Sequence, residues 1–292
     1  MTRLASDNEQ EENDMLMKYS EVEPDESTGH LAPDTDTVLF ANRVEKTYGN
    51  GTRALDEVRL RIQRGDFVSL LGPSGCGKST LLKMYAGLES PSHGHLRWLG
   101  TDAPAKSGLK IAMVFQEATL MPWANVATNV RLPLDLAGVP RAEADARVAK
   151  ALEPVGLAAF GKAYPRELSG GMQMRASIAR ALVTEPDVLL MDEPFGALDE
   201  FTRNKLDADL RSLWAERLQK LTVVFVTHSI YEAVYLSSRV VMMAARPGRI
   251  VADVAIPESV RDDEFRLSDG FAHHCRDLSA RLLSASGGDV GH

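Results

Sequence analysis

The chain has 292 residues, 44% of them hydrophobic, enough for one large domain or two modest ones with a real core. Its formal net charge of −8 argues against a nucleic-acid backbone as a partner, and no apolar run approaches the length that crosses a bilayer. The first residues are too polar and acidic for a secretory signal, and two cysteines, Cys76 and Cys275, make no disulfide scaffold, so a reducing cytosol is expected.

Residues 1–36 are rich in acids (Glu11-Glu12, Glu21, Glu23, Asp25-Glu26, Asp34, Asp36) and poor in large apolar groups. That composition predicts a disordered leader with one small apolar island at Met15, Leu16, Met17 and Tyr19. Folded structure is expected over 37–258, followed by a helical extension with a frayed end over 259–292.

Val38-Leu39-Phe40 and Val44 open the folded part, and Thr47 to Gly51 is a turn by composition. Tyr48 in that turn is by itself an ordinary surface tyrosine, although an aromatic there can stack on an adenine ring. Ala54-Leu55 and Val58-Leu60-Ile62 alternate like a half-buried strand, and Arg64-Gly65-Asp66 turns the chain into the apolar run Phe67–Leu71.

The next nine residues are Gly72-Pro73-Ser74-Gly75-Cys76-Gly77-Lys78-Ser79-Thr80, and Leu81, Leu82 and Met84 behind them read as the buried side of a helix. Strand, glycine loop and helix in that order form the setting of a phosphate loop. The glycines let consecutive N–H groups face an anion, and the helix N-terminus adds its positive dipole end. Lys78 is placed to reach the β- and γ-phosphates, and the Ser79 hydroxyl is a ligand suited to Mg²⁺.

Leu96–Leu99 reads as a short strand before the turn Gly100-Thr101-Asp102, and Ile111–Phe115 as a buried strand. Gln116 follows at the strand end, where its amide can orient a metal ion or water; taken alone it is an ordinary polar loop residue. Leu120-Met121-Pro122-Trp123 is an apolar loop that can pack inward or contact another protein. Helices are expected over Val126–Val130 and Ala142–Leu157, punctuated by Pro133, Gly138 and Pro140, with a turn at Tyr164-Pro165. This makes a helical lobe over about 124–180.

Leu168-Ser169-Gly170-Gly171-Met172 opens a further helix with a basic face, ending Ile178-Ala179-Arg180-Ala181-Leu182. Ser169 with paired glycines at a helix start is either a plain N-cap or a second phosphate contact. One nucleotide needs one cradle, so the second device fits a nucleotide held by another copy of the chain. Val188–Met191 is an apolar strand ending in Asp192-Glu193-Pro194. Adjacent acids there need something positive nearby. Asp192 suits the Mg²⁺ site, and Glu193 suits polarising the attacking water. In the turn Gly196-Ala197-Leu198-Asp199, Asp199 is a plain surface residue, a contact to a neighbouring subunit or a holder of the water network.

Leu221–Thr227 is a buried strand ending in His228, placed to reach the γ-phosphate and water, while the other histidines show no metal-ligand arrangement. Val240–Met243 is another strand, Pro247-Gly248 a turn, and Phe265–Leu283 an amphipathic segment anchored by Phe271, Leu278 and Leu282-Leu283.

Over about Val38 to Ile256 this ordered set of motifs resembles the ATP-binding subunits of ABC transporters. The resemblance rests on Gly72–Thr80, the signature Leu168-Ser169-Gly170-Gly171, the strand Val188–Asp192 with Glu193, and Gln116, Asp199 and His228 at the family's Q-loop, D-loop and switch positions. It implies an α/β P-loop NTPase with a mixed sheet core, a helical signature lobe and a small antiparallel β part. It implies ATP and Mg²⁺ as cofactors. Lys78, Gln116, Glu193 and His228 would be catalytic. Ser79, Gln116 and Asp192 would serve the metal. Tyr48, Gly72–Thr80, Gln116, Ser169, Gly170, Gly171 and Asp199 would contact nucleotide. It further implies a head-to-tail dimer, separate membrane permease subunits, an indirect link to a periplasmic solute-binding protein, and a place on the cytoplasmic face of the cell membrane. Residues 114–123 and 245–250 resemble the nitrate/sulfonate/taurine importer group, with a pyrimidine-related or polyamine importer, or a non-transport ABC ATPase, as alternatives. Met174 departs from the family, many of whose members have glutamine there.

Overall fold

The structure is a computed structural model that describes residues 36–196, 198–215, 221–245, 247–257 and 261–286. The expected leader, apart from Asp36, lies outside them, as do Arg246 and residues 287–292.

Strands β1 (Thr37–Thr47), β2 (Arg53–Gln63) and β4 (His93–Trp98) form an antiparallel sheet in the order β2-β1-β4. Strands β3 (Phe67–Leu71), β5 (Ile111–Val114), β6 (Val188–Asp192), β7 (Thr222–Thr227), β8 (Arg239–Ala244) and β9 (Arg249–Ala255) form the main sheet. Its order is β5-β6-β7-β3-β8-β9, parallel except for β9, which runs antiparallel to β8. The expected mixed sheet and small antiparallel part are both present.

The apolar runs of β3, β6, β7 and β8 are continuous because parallel strands with covered faces bury both sides. Successive side chains still point to opposite faces. Phe67 and Leu71 join one core with helices α3 (Val126–Leu136), α4 (Arg141–Leu152), α5 (Gly170–Leu182), α6 (Glu200–Ala215) and α7 (Ile230–Leu236). Val68 and Leu70 join the other, with α1 (Lys78–Tyr85) and the antiparallel sheet. A short α2 (Pro104–Ser107) precedes β5, and α8 (Asp263–Arg266) and α9 (Asp269–Ser286) close the described chain.

Several expectations are corrected. β5 is an edge strand in which only Val114 is buried, because an apolar run does not reveal whether a strand has one neighbour or two. Pro133 does not punctuate α3 but lies inside it. A proline removes a helix hydrogen bond, yet Val126, Val130 and Leu134 are buried in the core on the same helix, and tertiary packing outweighs that loss. Helix α4 stops at Leu152 rather than Leu157, since Gly156 takes a left-handed φ of 67° and Leu157 N donates back to Leu152 O at 2.9 Å. The apolar loop splits, with Leu120 packed on the core and Trp123 77% exposed. The C-terminal amphipathic segment is two helices, Ser268 Oγ capping α9 by accepting from Phe271 N at 3.1 Å. Phe271, Cys275 and Leu278 bury there, whereas Leu283 is exposed and anchors nothing.

Candidate nucleotide site

The parallel register brings the ends of four strands to one edge. Leu71 pairs with Thr227, Asp192 with Val226, and Val114 with Met191. Gly72, His228, Glu193 and Gln116 therefore all leave the sheet on the same side, where an open α/β sheet binds its ligand.

The loop Gly72–Gly77 curls from β3 into α1, with Gly75 and Gly77 at φ of 77° and 88°. A Cβ on Gly77 would stand 2.5 Å from Leu55 Cδ2 and 2.7 Å from Ala54 O, so glycine is required for conformation and space alike. Lys78 is buried and lies across its own loop, Nζ donating to Gly72 O at 2.8 Å and Pro73 O at 3.0 Å. Cys76 Sγ is 3.8 Å from the same ammonium. The thiol is fully buried, and burial pushes its pKa up against the opposing pull of Lys78, which keeps it in the unreactive thiol form. Ser74 and Gly75 are exposed on the outer curve of the loop.

Ser79 Oγ donates to Asp192 Oδ1 at 2.6 Å. Burial raises the Asp192 carboxyl above its ordinary range, with the Ser79 hydrogen bond opposing and Glu193 adding to the rise. A hydroxyl and a desolvated carboxylate at a helix start are oxygen donors suited to a hard divalent cation. Among the described residues no cluster of three or more His, Cys, Asp or Glu could hold a metal by itself. Such a cation would therefore depend on ligands from the phosphates as well, and the donor set fits Mg²⁺ arriving with a nucleotide.

Glu193 turns out of the sheet in a left-handed conformation, φ 44°, its N–H donating to Val226 O at 3.1 Å. Positive φ in a side-chain-bearing residue is strained and is held by its surroundings. The carboxylate bridges two groups, with Oε1 3.9 Å from Lys78 Nζ and Oε2 3.5 Å from His228 Nδ1. His228 is half exposed and free to meet a ligand. Gln116 is exposed two residues beyond β5, with no side-chain hydrogen bond among the described residues. Tyr48 stands at the rim, its hydroxyl 3.1 Å from Thr80 Oγ1 and 3.1 Å from Glu89 Oε2, its ring partly open to solvent beside Lys46.

Ser169, Gly170 and Gly171 are not brought to the phosphate loop; among the described residues no hydrogen bond joins them to it. Ser169 caps α5, Oγ accepting from Met172 N at 3.3 Å. Asp199 likewise caps α6, its carboxylate accepting from Thr202 N at 3.0 Å and Thr202 Oγ1 at 2.7 Å, and these bonds lower its pKa. Met174 is buried in the core, where an apolar side chain is at home.

Sequence reasoning missed three supporting residues. Arg180 on α5 donates to Ala118 O, Thr119 O and Thr119 Oγ1, each at 2.9 Å, and so ties the segment after Gln116 to the signature helix. Arg203 and Glu232 pair behind the site at 3.5 Å. A charged residue set among apolar ones, Ala179-Arg180-Ala181-Leu182, was the available signal for Arg180, and the pairing of Arg203 with Glu232 left none.

A phosphate loop, an acid pair at the end of the neighbouring strand but one, and a histidine on the strand between them define an α/β nucleotide hydrolase of the P-loop class. The family model described as ABC transporter matches residues 55–196. The taurine import ATP-binding protein TauB of Rhizobium johnstonii is 48% identical over 222 residues, 76% of this chain and 82% of that protein. The aliphatic sulfonates import ATP-binding protein SsuB of Bacillus licheniformis is 44% identical over 209 residues, 70% and 80% of the two chains. Among solved structures, the dimeric post-hydrolysis state of the ATP-binding cassette MJ0796 bound to ADP and Pi superposes with a TM-score of 0.64 at 33% identity, covering 75% of this chain and 98% of that one. The cassette cbiO1 of Clostridium perfringens gives 0.68 at 27% identity, covering 85% and 97%. The chain belongs to the ABC transporter ATP-binding family and is an ABC ATPase.

Proposed function

We propose that this ATPase powers the uptake of a small sulfonate, taurine or a close analogue, working in a pair beneath separate membrane permease subunits on the cytoplasmic face of the membrane. The observation that carries the chemistry is the placement of Glu193 between Lys78 and His228, beside the Ser79–Asp192 pair. The names of the relatives favour sulfonates over pyrimidines or polyamines. Residues 37–258 would form the ATPase domain, with a helical lobe over about 124–180, and 259–292 a C-terminal extension.

In this reading the loop N–H groups and Lys78 hold the β- and γ-phosphates, and the Tyr48 ring stacks on adenine. Ser79, Asp192 and Gln116 would hold Mg²⁺, which when bound would neutralise phosphate charge. Glu193 orients the attacking water and accepts its proton, while His228 hydrogen-bonds the γ-phosphate. Ser169, Gly170, Gly171 and Asp199 of one protomer face the nucleotide held by the other; the dimeric state of the MJ0796 cassette supports the pairing of two such chains. Exposed Phe115 and Trp123, flanking Gln116 and its loop, suit a permease contact.

The test is single-turnover hydrolysis by the full chain with Mg-ATP. Glu193→Gln is expected to keep ATP affinity and to slow γ-phosphate release by about a hundredfold or more. Release at the parental rate would remove Glu193 from its role. For the solute, vesicles carrying the permease and its binding protein are expected to show ATPase stimulation by taurine or an alkyl sulfonate; stimulation by a polyamine or a pyrimidine alone would overturn the solute class.

A further inference from the structure

Glu232 lies in the first turn of α7 and is 6% exposed. Its Oε2 accepts a short hydrogen bond from Thr227 Oγ1, and that hydroxyl accepts from Ser229 N at 2.9 Å. Ser229 Oγ in turn accepts from Glu232 N at 3.3 Å. Both neighbours of His228 are therefore tied to Glu232, Thr227 through its carboxylate and Ser229 through its backbone N–H, while the imidazole is left to face Glu193. The other oxygen, Oε1, faces Arg203 Nε at 3.5 Å. Arg203 reaches back to the turn that follows Glu193, Nη2 donating to Leu198 O at 3.0 Å and its backbone N to Asp199 O at 2.9 Å.

A closed circuit results. Glu193 meets His228 at 3.5 Å on the ligand side, and the segments carrying the two are joined again behind the site through Leu198, Arg203, Glu232 and Thr227. An ion pair between a buried carboxylate and a partly exposed guanidinium adds little stability by itself. What it does supply is direction, since a carboxylate offers acceptors on two sides, here one for each loop. Burial raises the Glu232 carboxyl above its ordinary range, and Thr227 and Arg203 oppose that rise.

We propose that Glu232 and Arg203 are positioning residues for hydrolysis, which together hold the His228 loop in register with Glu193. The proposal rests on the reading of Glu193 and His228 as site residues.

The experiment compares Glu232→Gln, Glu232→Ala, Arg203→Lys, Arg203→Ala, the double alanine variant and Glu193→Gln in the full chain. It measures single-turnover Mg-ATP hydrolysis, nucleotide affinity by titration and the thermal midpoint. Glu232→Ala is expected to lose about tenfold or more in rate with affinity kept within about twofold. Glu232→Gln should recover part of the rate, because it still accepts from Thr227. The double variant should be no slower than the slower single, because both break one connection. Parental rates in the Glu232 variants overturn the proposal, as does a loss of rate that tracks equal losses of affinity and thermal stability. Should the alanine variants fail to fold, Glu232→Gln and Arg203→Lys decide it, with slower hydrolysis at unchanged affinity in support and parental rates against. Hydrolysis surviving in Glu193→Gln overturns the site reading beneath the pair; its loss there with parental rates in the Glu232 variants overturns the pair alone.

Discussion

Gly248 packs directly beneath the phosphate loop: a Cβ added to it would stand 2.1 Å from the carbonyl oxygen of Cys76 and 2.8 Å from that of Ala54. Its own backbone stitches the contact, N donating to Ala54 O at 3.0 Å and O accepting from Asp56 N at 2.9 Å. The turn between β8 and β9 and the start of β2 thus form the floor on which Gly72–Gly77 rests.

Any side chain at 248 must displace backbone, because both obstructing atoms are carbonyl oxygens in hydrogen-bonded segments. Gly248→Ala is expected to weaken ATP binding by about tenfold or more, through a shifted loop rather than a lost contact. Gly49→Ala is the control, since nothing lies within 4 Å of its added Cβ. Titration with a fluorescent nucleotide checks both; parental affinity in Gly248→Ala would mean that the floor yields.

Asp207 on α6 is 1% exposed, and burial with the nearby Glu232 charge lifts its carboxyl from 3.8 to about 7 against the pull of Arg266 and Arg203. A folded-state pKa above the unfolded one stabilises the fold fully below the unfolded value. That contribution is lost as pH rises through the folded value. One such proton changes stability by at most about 1.4 kcal/mol per pH unit, here between about pH 4 and 7. Asp207→Asn removes the titration, so its thermal midpoint relative to the parent should rise from pH 5 to pH 8. A difference that is flat or falls across that range would show that the Asp207 carboxyl is not raised into it.

Arg180 supplies three hydrogen bonds to Ala118 and Thr119, the latter held at a left-handed φ of 47°. Burial lowers the pKa of the guanidinium from its ordinary value, as expected for a charge whose partners are carbonyl and hydroxyl oxygens rather than a carboxylate. Arg180→Ala should cost about 1–3 kcal/mol and should speed amide hydrogen exchange over 117–121 more than elsewhere in α5. Uniform exchange across the chain in the variant would show that the strap does not order that loop.

The parts legible in the sequence are those whose chemistry demands fixed residue types in consecutive positions. Gly72–Thr80, Asp192-Glu193 and His228 each sit at a strand end, and strand, loop and helix can be read around them. What escaped reading is made by tertiary contact. Gly248 matters because Cys76 lies above it, Arg203 because Glu232 lies 29 positions further on at 3.5 Å, and neither relation leaves a local pattern. Pro133 misled because its local cost is overridden by core burial on the same helix. The edge position of β5 follows from strand order, which periodicity does not contain.

The separation of Ser169 from the phosphate loop within one chain leads to the sharpest test. Ser169 heads α5 and caps it, yet no hydrogen bond joins it to Lys78 or its loop among the described residues. If Ser169 serves a nucleotide held by a second protomer, Ser169→Arg should leave ATP binding by the single chain nearly intact. It should block closure of the Mg-ATP dimer, because a long cation replaces a small hydroxyl. Lys78→Ala should instead weaken ATP binding directly. Mixing the two variants places both lesions in one composite site and leaves the other site with an intact Lys78 and an intact Ser169. The mixture should then form dimers and hydrolyse ATP where neither variant does so alone, as sedimentation and phosphate release would report. Ser169→Arg protein that dimerises on Mg-ATP and turns over at the parental rate would show that each chain completes its own site.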